Sequence, residues 1–346
     1  MAPTRGKPRS LGTCHFQMTK LKKTLLLSAA VLILLLIAAI HLTIGWRPFL
    51  GPRKRALTSR TFESTPERLA RGRYLTQGLL GCEMCHTPRD WTKHGAPPLP
   101  DKELAGQPLE LSGFPGHAVA PNLTPDPETG SGNWTDDQIA RAIREGIKHD
   151  DTTLFPLMPY MIYRNLSDED LAAVVVYLRS LPAVPNPLPP NQVNFPVNLL
   201  VRGVPNPVTD PVRGPNPADP LERGKYLVSV GCGCHDPVDA LPLAGGEKLV
   251  GPWGDVTSVN ITPDPSGIGY YTEATFITAL RTGYIGAREL KSIMPFAEYQ
   301  HLTDDDLKAM FAYLKTVKPV RHRVDNSLPP TLCKLCKKKH GAGDQN

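Results

Sequence analysis

Two thiols and an imidazole, those of Cys82, Cys85 and His86, are the side chains of this sequence best placed to do chemistry together. Their C-x-x-C-H spacing is the attachment signature of a c-type haem. Thiols one helical turn apart can bond to two edges of a porphyrin, and the histidine after the second thiol is then carried under the iron as an axial ligand. Half of a zinc site, a redox-active dithiol and coincidence are the rival interpretations of the motif alone.

The surroundings of this motif occur twice, as a search for internal repeats reveals. Six elements return in the same order: 71–75 (RGRYL) as 223–227 (RGKYL), 81–86 (GCEMCH) as 231–235 (GCGCH), 122–127 (NLTPDP) as 260–265 (NITPDP), 130–135 (GSGNWT) as 267–272 (GIGYYT), 158–159 (MP) as 294–295 (MP), and 167–184 as 303–320. Composition alone does not produce six ordered matches, so the chain contains a tandem duplication.

The second copy of the motif is altered. Its cysteines, Cys232 and Cys234, are spaced C-x-C-H before His235, and Gly231 stands where the first thiol would be. Residues two apart lie on nearly opposite sides of a helix, whereas residues three apart share a face, so Cys232 does not simply replace the missing thiol. We expect a single thioether from Cys234, with His235 as the proximal ligand. A distorted double attachment and a lost second haem are the rival hypotheses.

A c-type haem that transfers electrons needs a second axial ligand, and methionine in that position raises the reduction potential. Met158 is the candidate in the first unit and Met161 is its competitor, although filling the core is the commoner role of a methionine. The second unit has Met294-Pro295 in the corresponding place and nothing aligned with Met161. The repeat therefore favours Met158 and Met294 as the axial ligands.

Helix caps and apolar periodicity predict the elements that position these residues. Ser167 and Thr303 are N-caps followed by acidic residues in the first turn, Thr135 and Gln138 form a capping box, and Thr272 caps the counterpart of that helix. Apolar residues recur at helical spacing on one face of the last helix in each unit. No segment alternates convincingly as a strand. We therefore predict an all-α fold of short helices joined by loops rich in proline and glycine.

An apolar stretch of about 20 residues within 24–46 is long enough to cross a bilayer as a helix. Residues 1–62 hold 11 Lys and Arg and no Asp or Glu, so the rest of the chain carries 6 − 11 = −5, a distribution that argues against nucleic-acid binding. The lysines before the apolar stretch favour a cytoplasmic N-terminus. The length of the stretch and the lack of a clear A-x-A site after it favour a retained anchor. A cleaved signal peptide is the alternative, and both interpretations put the bulk of the chain outside the cytoplasm.

The connector between the units is rich in proline, with 12 prolines in residues 182–220. Because proline fixes φ and lacks an amide hydrogen, a helix is not expected there, although the apolar stretch 193–201 suggests packing across the two domains. The predicted order is a basic cytoplasmic N-terminus (1–23), a transmembrane anchor (24–46), a first haem domain (64–184), a Pro-rich linker (185–220), a second haem domain (221–320) and a basic tail (321–346).

The basic tail contains another C-x-x-C pair, Cys333 and Cys336, but Lys337 stands where a haem motif needs histidine. A third haem is therefore not expected. We predict a disordered tail with a surface disulfide or a free thiol pair, and a metal half-site with His340 is a less favoured alternative. The seventh cysteine, Cys14, is expected to be a free thiol on the cytoplasmic side.

These motifs resemble those of the di-haem, class I-like cytochromes c that serve as cytochrome subunits of membrane-bound periplasmic dehydrogenases, such as those for alcohol and gluconate. The likeness covers about 64–184 and 221–320. It implies all-α haem domains, electron carriage and Met-Pro axial ligands. It also implies that Trp134 and Tyr271 lie near the haem propionates and that the loops of Asn122 and Asn260 line the haem edge. Turn chemistry and aromatic packing explain these four residues equally well without haem contact.

We predict a protein anchored in a bacterial inner membrane, with two covalently attached c-type haems in the periplasm. It would pass electrons from a donor dehydrogenase to a quinone-linked or terminal oxidase acceptor of the respiratory chain, with no catalytic residue of its own. An enzyme such as a di-haem peroxidase would need an open sixth position on a haem iron, which two aligned methionines argue against. A mono-haem carrier with a vestigial second site and a zinc- or disulfide-stapled adhesion module are two further competing hypotheses.

Overall fold

A long apolar helix forms the N-terminal unit of the structure, a computed structural model that describes residues 12–236 and 241–346. Helix α1 spans Gly12–Thr43. Its part Lys22–Thr43 is the one helix among the described residues that is long and apolar enough to cross a membrane, judged by length and composition. A membrane anchor and a signal sequence both meet that description. Residues 1–11 of the predicted cytoplasmic segment lie outside the described residues.

The second unit, Pro52–Asn346, contains both repeats. Its helices begin where the capping residues predict: Thr135 and Gln138 form a capping box, and the hydroxyls of Ser167 and Thr303 each accept a hydrogen bond from the backbone N–H three residues further on. The helices after α1 are α2 (Arg47–Leu50), α3 (Pro66–Tyr74), α4 (Cys82–His86), α5 (Asp136–Glu145), α6 (Tyr160–Tyr163), α7 (Asp168–Ser180), α8 (Val197–Leu200), α9 (Pro220–Gly231), α10 (Glu273–Thr282), α11 (Phe296–Tyr299) and α12 (Asp304–Thr316). A π-helical turn, Leu75–Leu79, joins α3 to α4, and 3-10 turns lie at Val201–Gly203, Gly233–His235 and Gly343–Gln345.

The prediction of an all-α fold is wrong, because only 39% of the chain is helical and several antiparallel sheets are present. The strands are β1 (Gln107–Leu109), β2 (Gly116–Ala120), β3 (Gln192–Val193), β4 (Lys248–Gly251), β5 (Gly254–Thr257), β6 (Tyr284–Ile285), β7 (Arg288–Glu289), β8 (Pro330–Leu332) and β9 (Lys339–Gly341). All are two to five residues long, which is too short for an alternating pattern to stand out. The two residues that join β4 to β5, Pro252 and Trp253, are also not the Asn-Gly or Asp-Gly pair that marks a tight hairpin in a sequence.

The connector and the tail also differ from expectation. Strand β3 of the connector pairs with β2, and a single helical turn, α8, forms in the proline-free stretch between Pro196 and Pro205. The apolar stretch 193–201 is not buried as a whole, since the side chain of Phe195 is 78% exposed. The tail is ordered: β8 and β9 form a hairpin in which Thr331 pairs with His340. The structure thus places paired strands in a tail for which the composition predicts disorder.

In each repeat, the helix that leads to the cysteine motif crosses the last helix at a glycine. A Cβ atom added to Gly72 on α3 would lie 2.0 Å from the carbonyl oxygen of Ala173 on α7, and one added to Gly224 on α9 would lie 2.0 Å from that of Ala309 on α12. Only a residue without a side chain allows the two backbones to approach so closely. The duplicated Arg-Gly dipeptide therefore marks the helix crossing.

A reciprocal pair of tyrosines joins the two repeats. Tyr74 on α3 donates a hydrogen bond to Asp306 on α12 of the second repeat, and Tyr226 on α9 donates to Asp170 on α7 of the first repeat at 2.6 Å. The Tyr74 hydroxyl also accepts a hydrogen bond from the backbone N–H of Thr303, the N-cap of α12. The Tyr226 hydroxyl accepts one from that of Ser167, the N-cap of α7, and both bonds are 3.2 Å long. Each repeat thus completes the first turn of the other repeat's last helix.

Gly72→Ala and Gly224→Ala should each lower the free energy of unfolding by about 1–3 kcal/mol, the usual cost of overpacking. The same change in an uncrowded helix would stabilise it by about 1 kcal/mol. A loss of stability in these variants would therefore indicate that the two helices are in close contact at the glycine. Gly214→Ala is the control, because its added Cβ would meet Ser167 at an ordinary 3.7 Å. Urea unfolding followed by circular dichroism measures all three, and a stabilised Gly72→Ala variant would contradict the close contact.

Candidate haem-binding sites

The first motif forms its own short helix at the start of the site. Helix α4 follows Gly81, which has a positive φ of 56°, and the Cys82 and Cys85 thiols are free and half-buried. His86 is buried, and its Nδ1 lies 2.8 Å from the carbonyl oxygen of Pro121. Burial lowers the pKa of His86, so the imidazole is neutral. With Nδ1–H donating to the carbonyl, the lone pair on Nε2 is available for a metal.

The second motif repeats this arrangement around its histidine but not around its cysteines. His235, in the 3-10 turn, is buried and donates from Nδ1 to the carbonyl oxygen of Val259 at 2.7 Å. Cys234 is exposed, whereas Cys232 is buried. A Cβ at Gly231, the place of the missing first thiol, would lie 2.8 Å from a methyl group of Leu79. The second site therefore presents one accessible thiol.

The thiols of both motifs are held in their neutral form. Burial raises the pKa of Cys82 to about 12, and burial followed by the nearby Cys234 thiol raises the pKa of Cys85 to about 11. Burial also raises the pKa of Cys232 to about 12. A redox-active dithiol requires the opposite, a lowered pKa that exposes a reactive thiolate. The two motifs are neighbours, because a Cβ atom added at Gly231 would lie 2.8 Å from Leu79, just before the first motif.

The two candidate methionines occupy equivalent turns. Met158 and Met294 are half-buried against the core, each directly before the proline that is the N-cap residue of a one-turn helix, α6 or α11. In both turns the residue two positions after the methionine donates its N–H to the methionine carbonyl at 2.8 Å. Met161 is 45% exposed. Burial therefore favours Met158 over Met161, in agreement with the repeat.

Asn122 and Asn260 hold loops in place with fully engaged amides. Asn122 donates from Nδ2 to the Val184 carbonyl at 2.8 Å and accepts from the Thr124 N–H at 2.9 Å. Asn260 makes the same pair of bonds at 2.7 and 2.8 Å. Both asparagines directly follow the residue whose carbonyl accepts the histidine hydrogen bond. They are positioning residues, and their side chains satisfy the turn-chemistry interpretation.

Trp134 and Tyr271 are half-buried against the core at equivalent positions. The ring of Trp134 lies 4.3 Å from that of His149, and the Tyr271 hydroxyl accepts a hydrogen bond from Arg288 at 3.3 Å. A partly exposed aromatic beside a cationic or imidazole side chain is compatible both with a propionate contact and with plain aromatic packing. The prediction that these rings face haem propionates stays a prediction.

Several groups that shape the sites have no signature in the sequence. The carbonyl oxygens of Pro121 and Val259 belong to the backbone, which every residue type has. In the sequence, only their position directly before Asn122 and Asn260 distinguishes them. Glu83, inside the first motif, faces a cavity of about 350 Å³ between the repeats. Burial and then the charge of Glu103 raise the pKa of Glu83 to about 7, so its charge changes around neutral pH.

A buried ion pair links the two sites. Arg89, three residues after His86, contacts Glu298 at 2.6 Å, and both side chains are almost completely buried. Glu298 lies four residues after Met294 in the second repeat. Burial raises the pKa of Glu298 although Arg89 opposes the shift. Removing one member of such a pair would leave a buried charge without a partner, so the first cysteine motif and the second methionine turn are held together.

Comparison with known proteins identifies the class of this fold. Residues 69–182, which hold the first motif and the Met158 turn, match the family described as cytochrome c. The resemblance drawn from the motifs is therefore confirmed, because this part of the chain is a cytochrome c domain.

The relatives make the relationship more specific. The chain is 31% identical over 285 residues to the cytochrome c subunit of the quinone alcohol dehydrogenase of Gluconobacter oxydans, covering 73% of this chain and 55% of the relative. It is 31% identical over 277 residues to the fructose dehydrogenase cytochrome subunit of Gluconobacter japonicus, covering 72% and 52%. A diheme c-type cytochrome of Cereibacter sphaeroides is 29% identical over 258 residues, covering 69% and 83%. The chain thus spans about half the length of the first two.

Asn122→Ala should lower the free energy of unfolding by about 2 kcal/mol, because it leaves the buried Thr124 N–H without a partner and the Val184 carbonyl with only the long hydrogen bond from the Thr124 hydroxyl at 3.4 Å. The loop carrying the Pro121 carbonyl should loosen, and the histidine environment with it. Asn133→Ala is the matched control, since the exposed Asn133 amide makes a surface hydrogen bond to Pro127. Thermal unfolding of the two variants measures the difference, and equal melting temperatures would exclude the positioning role.

Proposed function

We propose that the chain is a membrane-anchored di-haem cytochrome c that carries electrons on the periplasmic side of a bacterial inner membrane. The proposal rests on one observation: each half contains a buried histidine, hydrogen-bonded through Nδ1 to a carbonyl, and a half-buried methionine in an equivalent turn. A free imidazole nitrogen and a thioether sulfur are the donor set that cytochromes c offer to haem iron. The residues that would hold the two irons are His86 with Met158 and His235 with Met294.

Haem c, when bound, supplies a one-electron couple, and the chain supplies the conditions for using it. The carbonyl partners of His86 and His235 orient the imidazoles and raise their basicity. Methionine ligands raise the reduction potential. The apolar surroundings exclude water and so favour the less charged form of the site. Because Gly231 of the second motif lies against Leu79, just before the first motif, an electron would have a short path between the two halves.

Covalent attachment would differ between the halves. Cys82 and Cys85 offer two thiols from one helical turn, as double attachment requires. In the second half Cys234 is the accessible thiol, Cys232 is buried, and Leu79 occupies the space of a side chain at Gly231. These contacts support attachment of the second haem through Cys234 alone.

The names of the relatives suggest the redox partner. Cytochrome subunits of quinone-dependent alcohol and fructose dehydrogenases are similar to this chain over about seven-tenths of its length. We infer that the donor is a dehydrogenase and that the acceptor is quinone-linked or a terminal oxidase of the respiratory chain. The apolar helix α1 would hold the protein at the membrane where those acceptors lie.

Two competing functions are less well supported. A di-haem peroxidase needs a sixth coordination position that a substrate can occupy, whereas a methionine sits at the equivalent turn in both halves. A mono-haem carrier with a vestigial second site would not need a buried His235 with its carbonyl partner, or a half-buried Met294 in a turn equivalent to that of Met158.

Met158→Ala should open the sixth position of the first haem. The reduction potential should fall because the methionine ligand is lost, and the reduced protein should gain carbon monoxide binding. Met161→Ala is the matched control, because the exposed Met161 side chain is not a ligand in this proposal. Redox titration and optical titration with carbon monoxide measure both effects. A wild-type protein that already binds carbon monoxide at both haems would refute the electron-carrier proposal in favour of an enzyme.

Cys234→Ser should release the second haem from covalent attachment. Intact mass and the haem-to-protein ratio should show two haems on the wild type and one covalently bound haem on the variant. Cys232→Ser should keep both, because that thiol is buried away from the proposed bond. One haem per wild-type chain would mean that the second site is vestigial and that the di-haem proposal fails.

A further inference from the structure

A second cluster of ligand-type side chains lies in the C-terminal segment, outside the haem sites. The ligand atoms of His322, Cys333, Cys336 and His340 all lie within 4.8 Å of one another. Both histidines and Cys333 are buried, Cys336 is half-buried, and the two thiols are free. The cysteines stand in the turn between β8 and β9, and His340 lies on β9. Folding of the tail thus assembles a two-cysteine, two-histidine set.

The two imidazoles point the same ring nitrogen at a common centre. His322 Nδ1 donates to the Ala244 carbonyl at 2.7 Å, and His340 Nδ1 lies 2.9 Å from the Gly341 carbonyl. Each Nε2 then carries a lone pair, yet the two Nε2 atoms are only 3.1 Å apart. Two neutral imidazoles in these tautomers would repel each other there, whereas a shared cation would attract both. Two nitrogens on one tetrahedral zinc ion are about 3.3 Å apart, given Zn–N bonds of about 2.0–2.1 Å.

The turn between the cysteines suits a sulfur ligand. The backbone N–H groups of Leu335 and Cys336 both point at Cys333 Sγ, at 3.3 and 3.4 Å. Such donors stabilise a thiolate and orient it toward a metal. Lys337 takes a left-handed conformation with φ 59°, which lets the chain fold back so that the Cys333 N–H reaches the Lys338 carbonyl at 2.9 Å.

The first repeat shows what His322 does beyond ordinary fold maintenance. Its counterpart, 136 positions earlier like the other members of the last repeated element, is Asn186. Asn186 donates from Nδ2 to the Ala105 carbonyl at 2.8 Å, as His322 donates from Nδ1 to the Ala244 carbonyl. An asparagine is therefore sufficient for that bond. The imidazole adds a second nitrogen, and that nitrogen faces His340 and the cysteines.

We propose that His322, Cys333, Cys336 and His340 bind a zinc ion that fastens the C-terminal hairpin to the second haem unit. A tetrahedral set of two sulfurs and two nitrogens is typical of structural zinc. A two-iron cluster would separate the sulfur and nitrogen ligands onto different irons, whereas these four atoms share one centre. The neighbouring Gly245 N–H donates to the His235 carbonyl at 2.9 Å, so the zinc would support the loop behind the second histidine.

Zinc and iron counts on the purified full-length protein test the proposal. After dialysis against a weak chelator, the wild type should retain about one zinc per chain, and His322→Asn and Cys336→Ser should each retain less than about 0.1. His322→Asn is the most informative variant, because Asn186 makes the equivalent loop hydrogen bond in the first repeat. The substitution should therefore keep the hydrogen bond to the Ala244 carbonyl and remove only the metal ligand. His117→Asn, at an exposed histidine outside the cluster, should leave the zinc content unchanged.

Two further readouts separate this site from the haem sites. Zinc-edge X-ray absorption should show nitrogen and sulfur neighbours at about 2.0 and 2.3 Å. Tryptic cleavage of the lysine-rich tail should become at least about tenfold faster in His322→Asn, because the hairpin opens locally, while its iron content stays at the wild-type value. A wild type without zinc, zinc unchanged in both variants, or a Cys333–Cys336 disulfide in the mature protein would overturn the proposal, whatever the haem content.

Discussion

The crossing of two helices at a glycine is the constraint on which each half of the structure depends. With no side chain at Gly72 or Gly224, α3 and α9 lie directly on the backbone of the last helix of their repeat. Each crossing helix then runs into a cysteine motif, so the crossing sets where that motif begins and which way it faces. The buried histidines and half-buried methionines are assembled on this frame by loops whose own shape depends on two asparagines.

Local chemistry can be predicted from this sequence, and long-range partnerships cannot. The Cys82, Cys85 and His86 spacing and the cap at Ser167 are properties of neighbouring residues, and both are legible in the sequence. The preference for Met158 over Met161 requires the duplication, because nothing in the local sequence separates two methionines three residues apart. The Pro121 carbonyl is invisible at that level because every residue has a carbonyl, and only the folded loop brings this one to an imidazole.

The wrong predictions have physical causes of the same kind. Strand β3 consists of two residues and pairs with β2 about 75 positions earlier, so no local pattern announces it. The composition of the tail, dominated by lysines, indicates disorder, whereas in the structure its hairpin brings Cys333, Cys336 and His340 beside His322, which lies more than ten residues before Cys333. His322 stands where the first repeat has Asn186. Because an imidazole offers a metal-binding nitrogen that an amide lacks, the comparison of the two repeats identifies His322 as a candidate ligand.

The reciprocal tyrosines have a consequence for how the two copies can change over evolutionary time. Because Tyr226 completes a helix of the first copy and Tyr74 completes one of the second, damage to either copy weakens both. Selection on the intact CEMCH copy therefore also maintains the helices of the GCGCH copy. The helices of the copy with the altered cysteine motif are thus tied to those of the intact copy, which is a physical reason for an altered motif on a retained scaffold.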